Sequence, residues 1–162
     1  EVDMKSQTKH VKKLNRRRVL ICMIVFFALL PVFSYFHEAG HALVCIADGN
    51  EAEISVDFVN GGTTLCHGDV SNLFAYKISG GLVAGIVGTA AGIALFRWKI
   101  PFIAITTIGI GHLINAGIEA FADSYFTHGV EWSFFMGLVE FVIFLTLLII
   151  FDRKMVKRND VL

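Results

Sequence analysis

The sequence predicts an all-α membrane protein of about four transmembrane helices, with a small β-hairpin between helices 1 and 2. Three observations lead there. Of the 162 residues, 55% are hydrophobic and only 17% charged, and mean hydropathy is +0.65; a water-soluble domain of this length needs more polar surface than that. The apolar residues are gathered into four long runs. Apart from Glu38, Glu119, Asp123 and Glu140, the charged residues lie outside the runs, and their sign alternates along the chain.

The first run extends from about Val19 through Phe36 and on to about Ala47, the second from about Ile78 to Phe96, the third from Pro101 to about Phe126, and the fourth from Trp132 to Phe151. Each reaches or approaches the ~20 residues a helix needs to cross ~30 Å of hydrocarbon. Pro101 suits a first helical turn, where its missing N–H has no partner to lose. Trp98, Tyr125 and Trp132 fall near the ends of runs, where amphipathic rings meet the headgroup layer. The first run is too long for a cleavable signal peptide and lacks a small-residue cleavage pattern.

Basic residues fill the segment before the first run (Lys5, Lys9, Lys12, Lys13, Arg16, Arg17, Arg18), the link Arg97-Trp98-Lys99 and the tail with Arg153, Lys154, Lys157 and Arg158. Between runs one and two, Asp48, Glu51, Glu53, Asp57 and Asp69 stand against Lys77, and the link between runs three and four carries Glu131 without Lys or Arg. Under the positive-inside rule this alternation places both termini in the cytoplasm. The expected organisation is a basic cytoplasmic arm at 1–18, one four-helix membrane domain at 19–151 with a hairpin loop at about 49–77, and a basic cytoplasmic tail at 152–162. No aromatic residues interleave with the charges of the arm, so lipid headgroups are its expected partner and nucleic acid is not.

Within the loop, Ile54, Val56 and Phe58 alternate with Ser55 and Asp57, and Asn60-Gly61-Gly62 offers a turn before Thr63-Thr64-Leu65-Cys66. That pattern is a hairpin signal; the segment is expected either to serve as a plain capping loop or to pair its edge with an extended substrate strand through Ile54, Val56 and Phe58. Cys22, Cys45 and Cys66 are odd in number and two lie inside apolar runs, so no disulfide framework is expected. Helix two carries Gly81 with Gly85 and Gly88 with Gly92, small-residue pairs that let a neighbouring helix approach closely.

The chemistry-bearing motif is His37-Glu38-Ala39-Gly40-His41. Histidines four apart on a helix project from one face and can chelate one ion, and Glu38 beside them is placed as a general base. Two histidines and a carboxylate in a membrane helix are costly unless they serve a site or a polar cavity. A catalytic zinc site needs a third protein ligand and an open position. At ~1.5 Å per residue, the histidines lie roughly 25–31 Å up helix one, Glu119 about 27 Å and Asp123 about 33 Å up helix three, and His112 only about 16 Å. Both carboxylates are therefore candidates, and His112 is expected to be too deep. Glu140 in helix four falls near the depth of His112, and the two are expected to pair.

His37-Glu38-Ala39-Gly40-His41-Ala42 resembles the signature of the site-2 protease family of intramembrane zinc metalloproteases. That family's third ligand is an Asp in an Asn-x-x-Pro-x-x-x-Leu-Asp-Gly pattern, to which Asn115-Ala116-Gly117-Ile118-Glu119-Ala120-Phe121-Ala122-Asp123-Ser124 is similar in its Asn-to-Asp spacing. The resemblance implies Zn2+ held by His37, His41 and Asp123, Glu38 as the catalytic base, and Asn115 near the substrate path. Ser79-Gly80-Gly81-Leu82 is similar to the family's Gly-Pro-containing segment. The likeness covers about residues 20–126 and is specific only at the first motif, since Ile118, Ala122 and Ser124 replace the family's Pro, Leu and Gly. Glu119-x-x-x-Asp123 also resembles zinc peptidases in which the Glu binds the metal. The implied function is a zinc-dependent endopeptidase acting on transmembrane or membrane-adjacent protein substrates. The alternative is a non-catalytic accessory subunit of a larger membrane complex, with a structural or vestigial metal site; a metal-delivery protein is a third expectation.

Overall fold

The fold was analysed in a computed structural model, which describes residues 16–57, 61–122, 125 and 129–159. Elements follow one another as α1 (Arg16–Ala47), β1 (Glu51–Asp57), β2 (Gly61–His67), α2 (Leu73–Ala94), α3 (Lys99–Phe121) and α4 (Gly129–Asn159). Among the described residues, four helices are long and apolar enough to cross a membrane, and many of their large apolar side chains point outward, among them Leu20, Phe27, Ile86, Phe134 and Val142. An outer surface of this kind suits lipid rather than water.

The elements start and stop where backbone chemistry directs. Gly49 takes a positive φ of 82°, which ends α1 and turns the chain toward β1. Asn72 caps α2 by accepting from the Ala75 N–H at 2.9 Å, so α2 begins five residues before the apolar run at Ile78. Pro101 lies in the first turn of α3, which starts at Lys99. Arg16, Arg17 and Arg18 of the basic arm already belong to α1, and α4 continues through the basic tail as far as Asn159.

α2 and α3 form the closest helix pair. Their seam is the glycine stripe: Gly81 abuts the backbone of His112 and Ala116, Gly88 meets Gly109, and Gly92 lies on Thr106. A Cβ at any of these positions would collide with the facing helix, which is what small-residue packing predicts. α4 packs chiefly on α3. At the end remote from the hairpin, Cys22, Phe102, Ile103, Phe144 and Leu148 form an apolar cluster.

β1 and β2 pair antiparallel with Ala52 opposite Cys66, Ile54 opposite Thr64 and Val56 opposite Gly62. The hairpin folds back over α1 and is fastened there. Cys45 and Cys66 are joined by a disulfide, contrary to the expectation from cysteine number and placement. The fold supplies the reason: the hairpin register returns Cys66 to the last turn of α1, where Cys45 is fully buried. Nearby, Asp48 accepts from the Ser71 N–H at 2.8 Å and from its hydroxyl at 2.6 Å, and Asn50 donates to the Asp69 carbonyl at 2.8 Å.

Candidate metal centre

His37 and His41 stand on one face of α1 as their spacing requires, both buried. α3 delivers Glu119, whose side chain is 1% exposed. One ligand atom from each of the three lies within 4.8 Å of the others. The Nε2 atoms of the two histidines are 3.1 Å apart, and His37 Nε2 is 3.1 Å from Glu119 Oε1. Two nitrogens at zinc-bond length in tetrahedral array are separated by about 3.3 Å, so the spacing fits a shared ion.

The surroundings fix the ligands in that attitude. His41 Nδ1 lies 2.7 Å from the Tyr76 carbonyl oxygen. A carbonyl can only accept, so Nδ1 carries the proton and donates, and the Nε2 lone pair is left facing the cluster. Gly80 permits this approach, because a Cβ there would strike the His41 ring; Gly40 in turn lies on the backbone of Ser79 and Gly80. Glu119 is oriented by Asn115, whose Nδ2 donates to Oε1 at 2.9 Å and to the Tyr125 hydroxyl at 3.1 Å. Tyr125 lies beyond the end of α3, and burial with the neighbouring Glu119 carboxylate raises its hydroxyl pKa above the usual phenol value, so it stays a neutral hydrogen-bonding group. Glu119 Oε2 has no hydrogen-bond partner. A fully buried carboxylate oxygen without a hydrogen-bond donor, beside two imidazoles, fits the donor set of a cation site.

Glu38 is buried at the same level but is not one of the three clustered ligands. Its carboxylate accepts from the Thr64 hydroxyl at 2.8 Å, and its backbone carbonyl lies 2.9 Å from the same oxygen. Gly62 sits directly against the Glu38 side chain, where any Cβ would displace it. A cavity of about 320 Å³ opens beside the cluster, lined by His37, Glu38, His41, Glu119, Thr64 and Tyr76 among others. Three side chains that could hold a metal ion thus adjoin both a further carboxylate and a cavity.

Of the residues singled out in the sequence, His37, Glu38, His41, Asn115 and Glu119 come together. Asp123 and Phe58 lie outside the described residues. Ile54 and Val56 share the sheet face of Thr64 and Gly62 by register, but β2, through Gly62, Thr63 and Thr64, lines the cavity in their place. His112 is nearer than its depth count suggested, with its ring centroid 5.2 Å from that of His37. A count of rise along the axis omits helix tilt and side-chain reach. His112 and Glu140 line a common cavity but make no hydrogen bond or ion pair with one another, so the expected pairing does not form. Tyr76 and Thr64 were missed; neither carries a sequence signal beyond its type, since each acts through contacts that only the fold creates. No family model, characterised protein or solved structure matches the chain.

Proposed function

We propose that the chain is a zinc-dependent intramembrane endopeptidase, with His37, His41 and Glu119 as the metal ligands and Glu38 as the catalytic base. The observation that carries this reading is the placement of Glu38: a carboxylate outside the ligand set, held by Thr64, on the wall of a cavity that opens onto the ligands. Two nitrogens and one carboxylate oxygen are borderline donors that suit zinc. Zinc, when bound, supplies a Lewis acid for a peptide carbonyl and makes a water molecule acidic near neutral pH.

The chain's own residues do the rest. Glu38 takes the proton of the attacking water and returns it to the leaving amine. The Thr64 hydroxyl keeps the Glu38 carboxylate turned toward the cavity. β2 offers the edge on which a substrate segment can lie extended, and extension is needed because a helix in lipid hides its carbonyls in internal hydrogen bonds. The likeness of residues 37–42 to the site-2 protease signature supports the same chemistry, while Glu119 as ligand follows the other zinc-peptidase pattern.

The reading extends to orientation. Both termini are cytoplasmic and the hairpin faces the opposite compartment. The charge distribution supports this, and so does the Cys45–Cys66 bond beneath the hairpin, since disulfides persist in oxidising compartments.

The test is metal analysis and proteolysis on the purified full chain. Bound zinc near one equivalent and cleavage of membrane-protein substrates are expected in the unmodified protein. Glu38→Gln should keep the metal and lose about 10²–10⁴-fold in rate. A metal-loaded Glu38→Gln protein that cleaves at the original rate would remove Glu38 as the base. Bound metal with no proteolysis in either form would leave the site structural, as in an accessory subunit.

A further inference from the structure

A second cavity, of about 200 Å³, lies beside the first and shares His37, Glu38, Gly62 and Tyr125 with it as a wall. Its other lining residues are Ser34, Gly61, His112, Asn115, Met136 and Glu140, so the start of β2 closes one side and α1, α3 and α4 build the rest. Ser34 is a turn before Glu38 on α1, and His112 and Asn115 precede Glu119 on α3. Met136 and Glu140 come from α4, which contributes nothing to the first cavity. The two spaces adjoin along the shared wall of His37, Glu38, Gly62 and Tyr125, so a chain segment lying along that wall would reach both.

Glu140 is the notable lining residue. Its carboxylate rests against Gly111, where any Cβ would displace it, and it has no hydrogen-bond or ion-pair partner among the described residues. Glu140 lies within the apolar span Phe134–Phe151. A carboxylate at such a position is expensive unless something pairs with it. The surrounding groups are mostly acceptors. Asn115 spends its Nδ2 on Glu119 and Tyr125, which leaves an amide oxygen without a partner, and Glu38 is a carboxylate. His112 Nδ1 is also unpartnered. The cavity does not bring a second set of ligand atoms together, since His37, His41 and Glu119 are the one group that meets ligand spacing among the described residues.

We infer that this cavity is a recognition subsite for a basic side chain of the substrate, Lys or Arg, with Glu140 as the residue that selects it. The volume holds one long side chain, and the acceptor-rich lining matches its N–H donors. The inference rests on the endopeptidase reading for the route of the substrate. It adds that a cleaved span carries a basic residue on the membrane-interior side of the scissile bond, a position where a free helix holds such a charge only at a penalty.

The probes are leucine-rich single-span peptides bearing one Lys, or norleucine in its place, at successive positions. Each is reconstituted with the full chain in phosphatidylcholine vesicles, and binding is read by fluorescence energy transfer. One Lys position should bind about tenfold tighter than norleucine, the scale of a hydrogen bond to a charged group. Glu140→Gln should erase that preference, and Glu140→Lys should transfer it to a peptide with Glu at the same position. On the unmodified chain, without any variant, the Glu peptide should bind no better than norleucine. Equal binding at every Lys position, a Lys preference that survives Glu140→Gln, tight binding of the Glu peptide, or no binding of any peptide would each overturn the subsite. Cleavage in the same vesicles is scored separately. Lys-selective binding without cleavage would sink the endopeptidase reading and leave the subsite standing.

Discussion

The two ends of this helix bundle are built from different materials. At the hairpin end, polar side chains and covalent links hold the elements together: Glu119 and Asn115 from α3, His37, Glu38 and His41 from α1, Thr64 from β2, and the Cys45–Cys66 bond. At the other end, Cys22, Phe102, Ile103, Phe144 and Leu148 meet without one charged group among them. Lipid gives apolar helices little reason to associate except packing, and the aromatic cluster of Phe96, Phe102 and Phe151, with ring centroids 4.8–6.0 Å apart, is packing of that kind. Polar groups are dear in hydrocarbon, and here most of the ionisable ones inside the spans gather at the hairpin end. The contrast separates what makes the bundle from what the bundle is for.

The sharpest way to break the comparison is to remove one polar ligand. Glu119→Gln should empty the site, with a loss of metal affinity beyond the ~10–100-fold that an outer-shell change costs, and proteolysis should fall below detection. Asp123→Asn should leave metal content near that of the unmodified protein, as measured by elemental analysis after dialysis. The reverse pattern would transfer the ligand role to Asp123 and remove the geometric case built on Glu119.

Stability offers the next contrast. Losing the Cys45–Cys66 bond through a paired Ser substitution should cost about 2–4 kcal/mol. Phe144→Ala should cost about 3 kcal/mol by opening a void in the apolar cluster. The two differ in what else they damage. The Ser pair loosens β2 two residues from Thr64 and should weaken zinc retention, whereas Phe144→Ala should melt earlier with its metal content unchanged. Thermal unfolding in detergent with zinc release followed in parallel would tell them apart. Equal metal loss in both would show that the ends are not independent.

The sequence reveals the two ends unequally, for a physical reason. Apolar runs and alternating charge are properties of segments, and they give four helices, a hairpin and the His37–His41 face without any tertiary knowledge. Contacts between segments are properties of azimuth and of chain ends. Rise along α3 puts Glu119 and Asp123 in the same layer, but α3 ends at Phe121 with Ala122 as its cap, and a count of rise holds only within a helix. The same limit hides the disulfide, because Cys45 on a helix and Cys66 on a strand meet only after the hairpin folds back. It also hides the nearness of His112 to His37. Tyr76 contributes a main-chain oxygen to His41, and a main-chain atom leaves no trace in residue type.

A smaller effect tests how far polar control of the hairpin end extends. Thr64→Val keeps the volume and β-branching but deletes the hydroxyl that faces Glu38. A hydrogen bond to a charged group contributes about 1.5–3 kcal/mol, so a loss of roughly ten- to a hundredfold in kcat is expected if the bond serves only to aim the base. KM and zinc content should stay put. A rise in KM with kcat unchanged would instead make Thr64 a substrate contact and leave Glu38 without its positioning residue.

The smallest expected effect lies at the junction of α1 with the start of α2. Asp48 accepts two hydrogen bonds from Ser71, and these favour the ionised carboxylate and lower its pKa from the usual 3.8. A depressed folded pKa means that the link is fully present above the unfolded value, and is lost as pH falls through the folded value. The protection of the Ser71 amide against hydrogen exchange, corrected for the intrinsic rate, should therefore hold above about pH 4 and decline below it. Asp48→Asn should flatten that pH dependence while leaving zinc content unchanged. If the decline persists in Asp48→Asn, the acid-sensitive group lies elsewhere and the α1–α2 junction does not depend on this carboxylate. Since Asp48 is fully exposed, solvent screening limits the effect to local opening, and the metal centre, about two helical turns back along the chain at His41, should not feel it.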